Sequence, residues 1–135
     1  MTRLILLIMI GFSAVYANDT FVDSTTGLEW QDNYASKSVE KSWYDAKSYC
    51  RDLELSGHSD WRLPTIKELQ SIVDISKNKP AIKDGFKNVA SHYCWSSSEY
   101  ADGTSDAWIV DFNNGNTYWS LKSDKLFVRC VRGRQ

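Results

Sequence analysis

Trp61-Arg62-Leu63-Pro64-Thr65-Ile66-Lys67-Glu68-Leu69, with Trp95-Ser96-Ser97-Ser98 some way downstream, is the stretch that decides how this chain folds. It joins a tryptophan-anchored bend to a capped helix and then to a Trp-led strand. Thr65 and Glu68 have the spacing of a capping box, in which hydroxyl and carboxylate each accept a backbone N–H at the helix start. Leu69, Ile72 and Val73 follow at helical spacing and supply an apolar stripe. Arg62 is expected to lay its stem on aromatic rings and pair with a carboxylate such as Glu68.

Upstream, Ser42-x-x-Asp45 resembles a capping box with Asp in place of Glu, and Trp43, Ala46, Tyr49, Cys50 and Leu53 recur at helical spacing. Cys50 therefore lies on the buried stripe of a first helix, which has ended by Gly57. Earlier still, Phe21–Asp23 and Leu28–Trp30 flank a Ser-Thr-Thr-Gly turn and predict a short hairpin. Residues 74–92 are polar and lysine-rich, with Pro80 and Gly85, and read as a long surface loop.

Downstream the pattern changes to β-structure, with strands expected at Tyr93–Ser97, Ala107–Phe112, Asn116–Leu121 and Leu126–Val131. Asn114-Gly115 between alternating runs signals a hairpin, because both positions tolerate positive φ. A two-residue turn there pairs Asp111 with Tyr118, Val110 with Trp119 and Trp108 with Leu121. A second turn at Ser123-Asp124 sets Trp119 opposite Val128 and Tyr118 opposite Arg129. One face then gathers Trp108, Val110, Phe112, Trp119, Leu121, Leu126, Val128 and Cys130 as the core face. The other gathers Ile109, Asp111, Tyr118, Ser120, Phe127 and Arg129.

The N-terminus reads as a secretory signal over residues 1–17: Arg3, the apolar run Leu4–Phe12, and a small-residue ending at Val15-Tyr16-Ala17. The run is too short to span a bilayer, and residues 18–135 are expected to form one domain. Its six tryptophans promise an aromatic core. Export leaves three cysteines in an oxidising compartment, so one disulfide and one spare thiol are expected. Cys130 falls on the core face and Cys50 on the helix stripe, so these two can meet. Cys94 alternates with Trp95 and points away from a buried Trp95. Its three open fates are, in order, a link between subunits, a buried free thiol and a redox group.

Charge is uneven. Residues 18–60 carry nine acids and four bases, 93–121 carry four acids and no base, and 122–135 carry five bases against Asp124 alone. Either these segments neutralise one another across the fold, the reading favoured here, or the last forms a basic edge for sulfated or phosphorylated polymers. The balanced total argues against a general nucleic-acid binder.

The ordered set of Cys50 on a helix, Asp60–Thr65 with Glu68-Leu69, Trp95–Ser98, Trp108-x-Val110-x-Phe112-x-x-Gly115 and Val128–Arg132 resembles the bacterial family named for the C-terminal domain of a collagen-like adhesin, the Lcl C-terminal domain. The resemblance covers roughly Gly27 to Gly133, and Cys94 lies outside its pattern. It implies an α+β, C-type-lectin-like fold: two helices around a twisted antiparallel sheet, termini close together, and a disulfide from first helix to last strand. With the N-terminal signal, it makes the expected location outside the cytoplasm of a bacterium: secreted, periplasmic or at the surface. The namesake binds sulfated polysaccharides and host surfaces.

Calcium-dependent sugar binding needs Glu-Pro-Asn or Gln-Pro-Asp and Trp-Asn-Asp motifs; the only prolines, Pro64 and Pro80, sit in no such triplet. Glu99, Asp102 and Asp106 read as an ordinary solvated loop before a cation site. No cofactor or metal is expected. Formylglycine-generating oxidases share the fold but hold copper between two cysteines, which Cys94 alone cannot supply. His58 and His92 stand in separate loops. The expected function is a non-enzymatic binding or adhesion module for an anionic glycan or a protein partner. Its ligand-binding residues are expected among Tyr100, Asp102, Asp111, Asn113, Asn114, Tyr118, Lys125 and Arg129, the row Asp111–Tyr118–Arg129 being central. Trp61, Trp95, Trp108 and Trp119 are expected in the core before serving as sugar-stacking platforms. The rival readings are a Cys94-dependent oxidoreductase and a purely structural, Cys94-linked homo-oligomer.

Overall fold

The computed structural model describes residues 19–101 and 104–133. The segment read as a secretory signal, together with Asp102 and Arg134, lies outside them. The elements run β1 (Thr20–Val22), β2 (Glu29–Gln31), β3 (Glu40–Lys41), α1 (Trp43–Asp52), α2 (Ile66–Ser71), β4 (Tyr93–Glu99), β5 (Asp106–Asp111), β6 (Asn116–Leu121), β7 (Leu126–Phe127) and β8 (Val131–Arg132). A three-stranded sheet has the order β1-β2-β8, and a five-stranded sheet the order β3-β7-β4-β5-β6. The architecture is α+β and mainly antiparallel, with one parallel bridge, Cys94 to Phe127. The first and last described strands both flank β2.

Both predicted helix starts form. The Ser42 hydroxyl accepts from the Asp45 N–H, and Thr65 and Glu68 exchange both capping-box bonds. The Trp61–Ile66 bend is then clamped from two sides. Arg62 and Val131 exchange both backbone bonds at 2.9 Å, the Pro64 carbonyl accepts from Ser97 N–H at 2.7 Å, and Ser98 Oγ accepts from Ile66 N–H. The two stretches that decide the fold are thus bonded to each other.

The five-stranded sheet is buried on both faces at its centre. Trp95, Ala107 and Ile109 join α1, Trp61, Val128 and the cystine in one cluster. Their neighbours Cys94, Val110 and Phe112 join α2, Trp30, Ile82 and Val131 in another. Successive strand residues point to opposite faces, so β4 and β5 form a middle layer between the two helices. The expectation of a single core face is corrected accordingly. The 74–92 segment is likewise more than a surface loop, since Ala81 and Ile82 are buried and Phe86 and Val89 pack on the second cluster.

The β5–β6 register differs by two residues from expectation: Asp111 pairs with Asn116, Ile109 with Tyr118 and Trp108 with Trp119. Asp111 closes the turn early. Its carboxylate accepts from Asn113 N–H and its carbonyl from Gly115 N–H at 2.7 Å, and Gly115 takes φ +84°. The loop therefore holds four residues, in the manner of an Asx turn.

The expected second hairpin does not form. Lys122 ends β6 buried: its ammonium donates to Glu99 Oε1 at 3.0 Å and to the Thr104 carbonyl at 2.7 Å, and lies 4.4 Å from the Trp43 ring centroid. Its carbonyl accepts from Trp43 N–H. Anchored there, the chain crosses to the far side of β4, where β7 pairs with β3. This route carries Val128 and Cys130 to the α1 cluster, and Cys130 meets Cys50 with Cα atoms 5.4 Å apart. Trp119 and Leu121 are left exposed, against the expectation that they are core.

Two stability predictions follow from this frame. The cystine closes a loop of sequence separation 80, so the Cys50→Ser/Cys130→Ser pair is expected to lose about 4 kcal/mol of unfolding free energy in urea titrations. The Glu68 carboxylate accepts from both terminal nitrogens of Arg62, at 2.6 and 2.7 Å. Burial pushes its pKa up, but the Arg62 bonds and charge and the Thr65 N–H outweigh that and hold it below the usual value. A depressed folded pKa stabilises above the unfolded value, about 4.3, and that stability is lost as pH falls through the depressed one. Glu68→Gln is expected to cost about 2 kcal/mol at neutral pH. The difference from the parent should close on acidification below about pH 4; an equal difference at both pH values contradicts the assignment.

Candidate functional site

The outer end of the five-stranded sheet carries three aromatic rings in mutual contact. Trp108 and Trp119 are directly opposed across β5 and β6. Lys122 N–H donates to the Ser105 carbonyl at 2.8 Å, which makes that pair hydrogen-bonded and, by alternation, makes Trp108–Trp119 non-hydrogen-bonded. Side chains stand closest at such pairs. The indoles meet edge to face with centroids 5.9 Å apart. Tyr100 enters after β4, whose register shifts between Trp95 and Glu99, and its backbone N–H bonds the Asp106 carbonyl. Its ring stands 5.0 Å from Trp108 and 4.9 Å from Trp119. Trp119 is 53% exposed and Tyr100 42%. These rings stand at the end of a sheet whose centre is packed from both sides, and they form an apolar surface with open faces.

Of the described residues expected to bind ligand, Tyr100 alone joins this surface. Asp111 caps its own turn, Asn113 donates its backbone N–H to that cap, and Asn114 accepts from Asn116 N–H. Tyr118 is exposed on the opposite face, edge to face with Tyr93 at 6.3 Å. Lys125 is exposed in the turn before β7. Asp102 lies outside the described residues.

Arg129 is the main correction. It is buried, not on a surface row beside Tyr118. It donates to the carbonyls of Gln31 and Asn88 and to Asp32, the ion pair spanning 3.4 Å, and its guanidinium lies 5.0 Å from the Phe86 centroid. Asp32 also accepts the N–H groups of Lys87 and Asn88. This network pins the 86–89 segment to the sheet. Arg132 pairs with Glu29 and Asp60, so the basic run is largely consumed by internal pairing, as the neutralising reading held. Trp108 and Trp119 are the site residues sequence reasoning placed elsewhere. The available signal was Lys122, a charge directly after an alternating aromatic run.

A second feature is a shallow cleft of about 320 Å³ between α1 and the bend, lined by Lys47, Arg51, Trp61, Arg62, Leu63 and Ser97. Among the described residues no carboxylate is in its lining, but Arg51 lies 3.5 Å from Asp52 and Arg62 pairs with Glu68. Among the described residues, no group of three or more His, Cys, Asp or Glu is placed to hold a metal ion, and no helix is long and apolar enough to cross a membrane.

Fold and site together define a small disulfide-stapled α+β domain that presents aromatic side chains on a rigid sheet. The family model for the Lcl C-terminal domain matches residues 19–132, and the chain belongs to that family. No curated protein matches it.

Cys94 is a free thiol on the α2 face of the sheet, 4% exposed. Burial pushes its pKa up to about 11, the Arg129 charge and backbone N–H offsetting only part of that. A link between subunits would require unpacking this side of the core. Native protein at pH 8 is expected to leave Cys94 unmodified by a thiol reagent, with full modification once urea unfolds it. Rapid labelling of native protein contradicts its placement.

Proposed function

We propose that this chain is an exported, non-enzymatic binding module of C-type-lectin-like fold, acting at or outside the bacterial envelope and recognising a saccharide by stacking on Tyr100, Trp108 and Trp119. The contact among these three rings, with Trp119 half exposed at the edge of the sheet, is the observation that carries the reading. Sugar rings present C–H faces to aromatic faces, and a preformed surface avoids the ordering cost that flexible side chains bear on binding. Recognition by residues at the end of a rigid scaffold is the usual division of labour in such folds.

The anionic-glycan expectation keeps a separate basis. It shifts from the C-terminal run to the cleft between α1 and the bend, where Lys47 and Arg51 stand one helical turn apart. The oxidoreductase reading has no support from Cys94, whose burial disfavours the thiolate.

On a glycan array containing neutral and sulfated members, the parent protein is expected to bind a saccharide. Trp119→Ala should weaken that binding at least tenfold with an unchanged circular dichroism spectrum. If Lys47→Glu/Arg51→Glu abolishes binding and Trp119→Ala does not, the cleft is the site. Absence of binding to every member defeats both readings.

A further inference from the structure

β6 is the outer strand of the five-stranded sheet. The Lys122–Ser105 bond fixes which of its backbone groups face inward. Residues 116, 118 and 120 turn theirs toward β5, so Thr117, Trp119 and Leu121 turn theirs away from the sheet. The Leu121 carbonyl accepts from Asp124 N–H; among the described residues no strand lies beyond Thr117 and Trp119.

Soluble domains blunt open edges with charge, proline, bulges or brevity. The opposite edge of the same sheet obeys this: β3 is two residues long, Glu40 and Lys41. β6 does not. It is six residues, Asn-Thr-Tyr-Trp-Ser-Leu, with no charge, no proline and no glycine, and it is paired with β5 throughout without a register shift.

We infer that a second copy of this chain occupies that edge, β6 pairing antiparallel with its counterpart across a two-fold axis at Trp119. The strand is self-complementary in this register. The two Trp119 residues exchange both backbone bonds, and Thr117 of each copy stands opposite Leu121 of the other, as an isologous contact requires. No like charges are brought together: the strand carries none, Lys122 falls opposite Asn116 and Asp124 opposite Asn114. The exposed side chains of Trp119 and Leu121, 53% and 51% accessible, meet their counterparts along the strand edge in both copies at once. The pairing does not depend on the saccharide reading. Where that reading holds, the dimer sets two aromatic surfaces side by side on one continuous sheet and makes binding bivalent.

Sedimentation equilibrium of the purified chain from micromolar to millimolar concentration is expected to show a monomer–dimer equilibrium. Trp119→Lys and Trp119→Glu should each be monomeric, and an equimolar mixture should recover the dimer, because the axis places the two charges beside each other. In the parent, amide exchange at Thr117 and Trp119 should slow as concentration rises. The inference is overturned by a parent monomeric throughout, by a dimer that survives Trp119→Lys, or by exchange at these amides that ignores concentration. A monomer whose β6 amides become protected only on adding an extended peptide assigns the edge to a foreign strand and overturns self-pairing.

Discussion

Two strands with apolar side chains on both faces dictate the rest of this structure. β4 and β5 send Trp95 and Ile109 one way and Cys94 and Val110 the other, all of them buried. A two-faced strand is stable in water only when something covers each face, and a chain of this size has two short helices to do it. The bend at Trp61–Pro64 reconciles these demands. It lets the chain leave one face after α1 and start α2 on the other, held to β8 by Arg62 and to β4 through Ser97 and Ser98. Trp43 and Trp95 each donate to a carbonyl of another segment, so these two large apolar bodies are buried with their polar tips satisfied, whereas the buried Trp30 Nε1 has no hydrogen-bond partner among the described residues.

What the sequence made legible was mostly local. Helix caps at Ser42 and Thr65, the hairpin of β1 and β2, the Arg62–Glu68 pair and the Cys50–Cys130 bridge all rest on short-range rules or on the side of an element to which a residue points. The β5–β6 register missed by two, an even number, so Trp108 and Trp119 still share a face. The wrong step was to call that face interior along its whole length. Periodicity reports which residues share a side; it does not report how far a covering helix reaches. α2 spans six residues, and the Trp108–Trp119 end of the sheet extends past it.

The path after β6 was illegible for a different reason. A Ser-Asp turn after an alternating strand looks like the next hairpin, and nothing local shows that Lys122 will be buried against Trp43 with Glu99 as its partner. That decision is made by long-range packing: Val128 and Cys130 are more deeply buried beside β4 than they could be at the outer edge. Arg129 travels with them. A residue that looks like a surface cation by composition thereby becomes an internal tie among Gln31, Asp32 and Asn88.

The small sheet and the cystine have a joint mechanical consequence. β1 and β8 lie on either side of β2 and run parallel to each other, so tension between residues 19 and 133 loads in shear two short ladders of three and two residue pairs. Beyond them, the covalent link from Cys50 to Cys130 takes the strain. The stretch from α2 through the aromatic rings sits inside the loop that the cystine closes, so once the cystine carries the tension it is spared the pull, while the bend stays tied to β8 through Arg62.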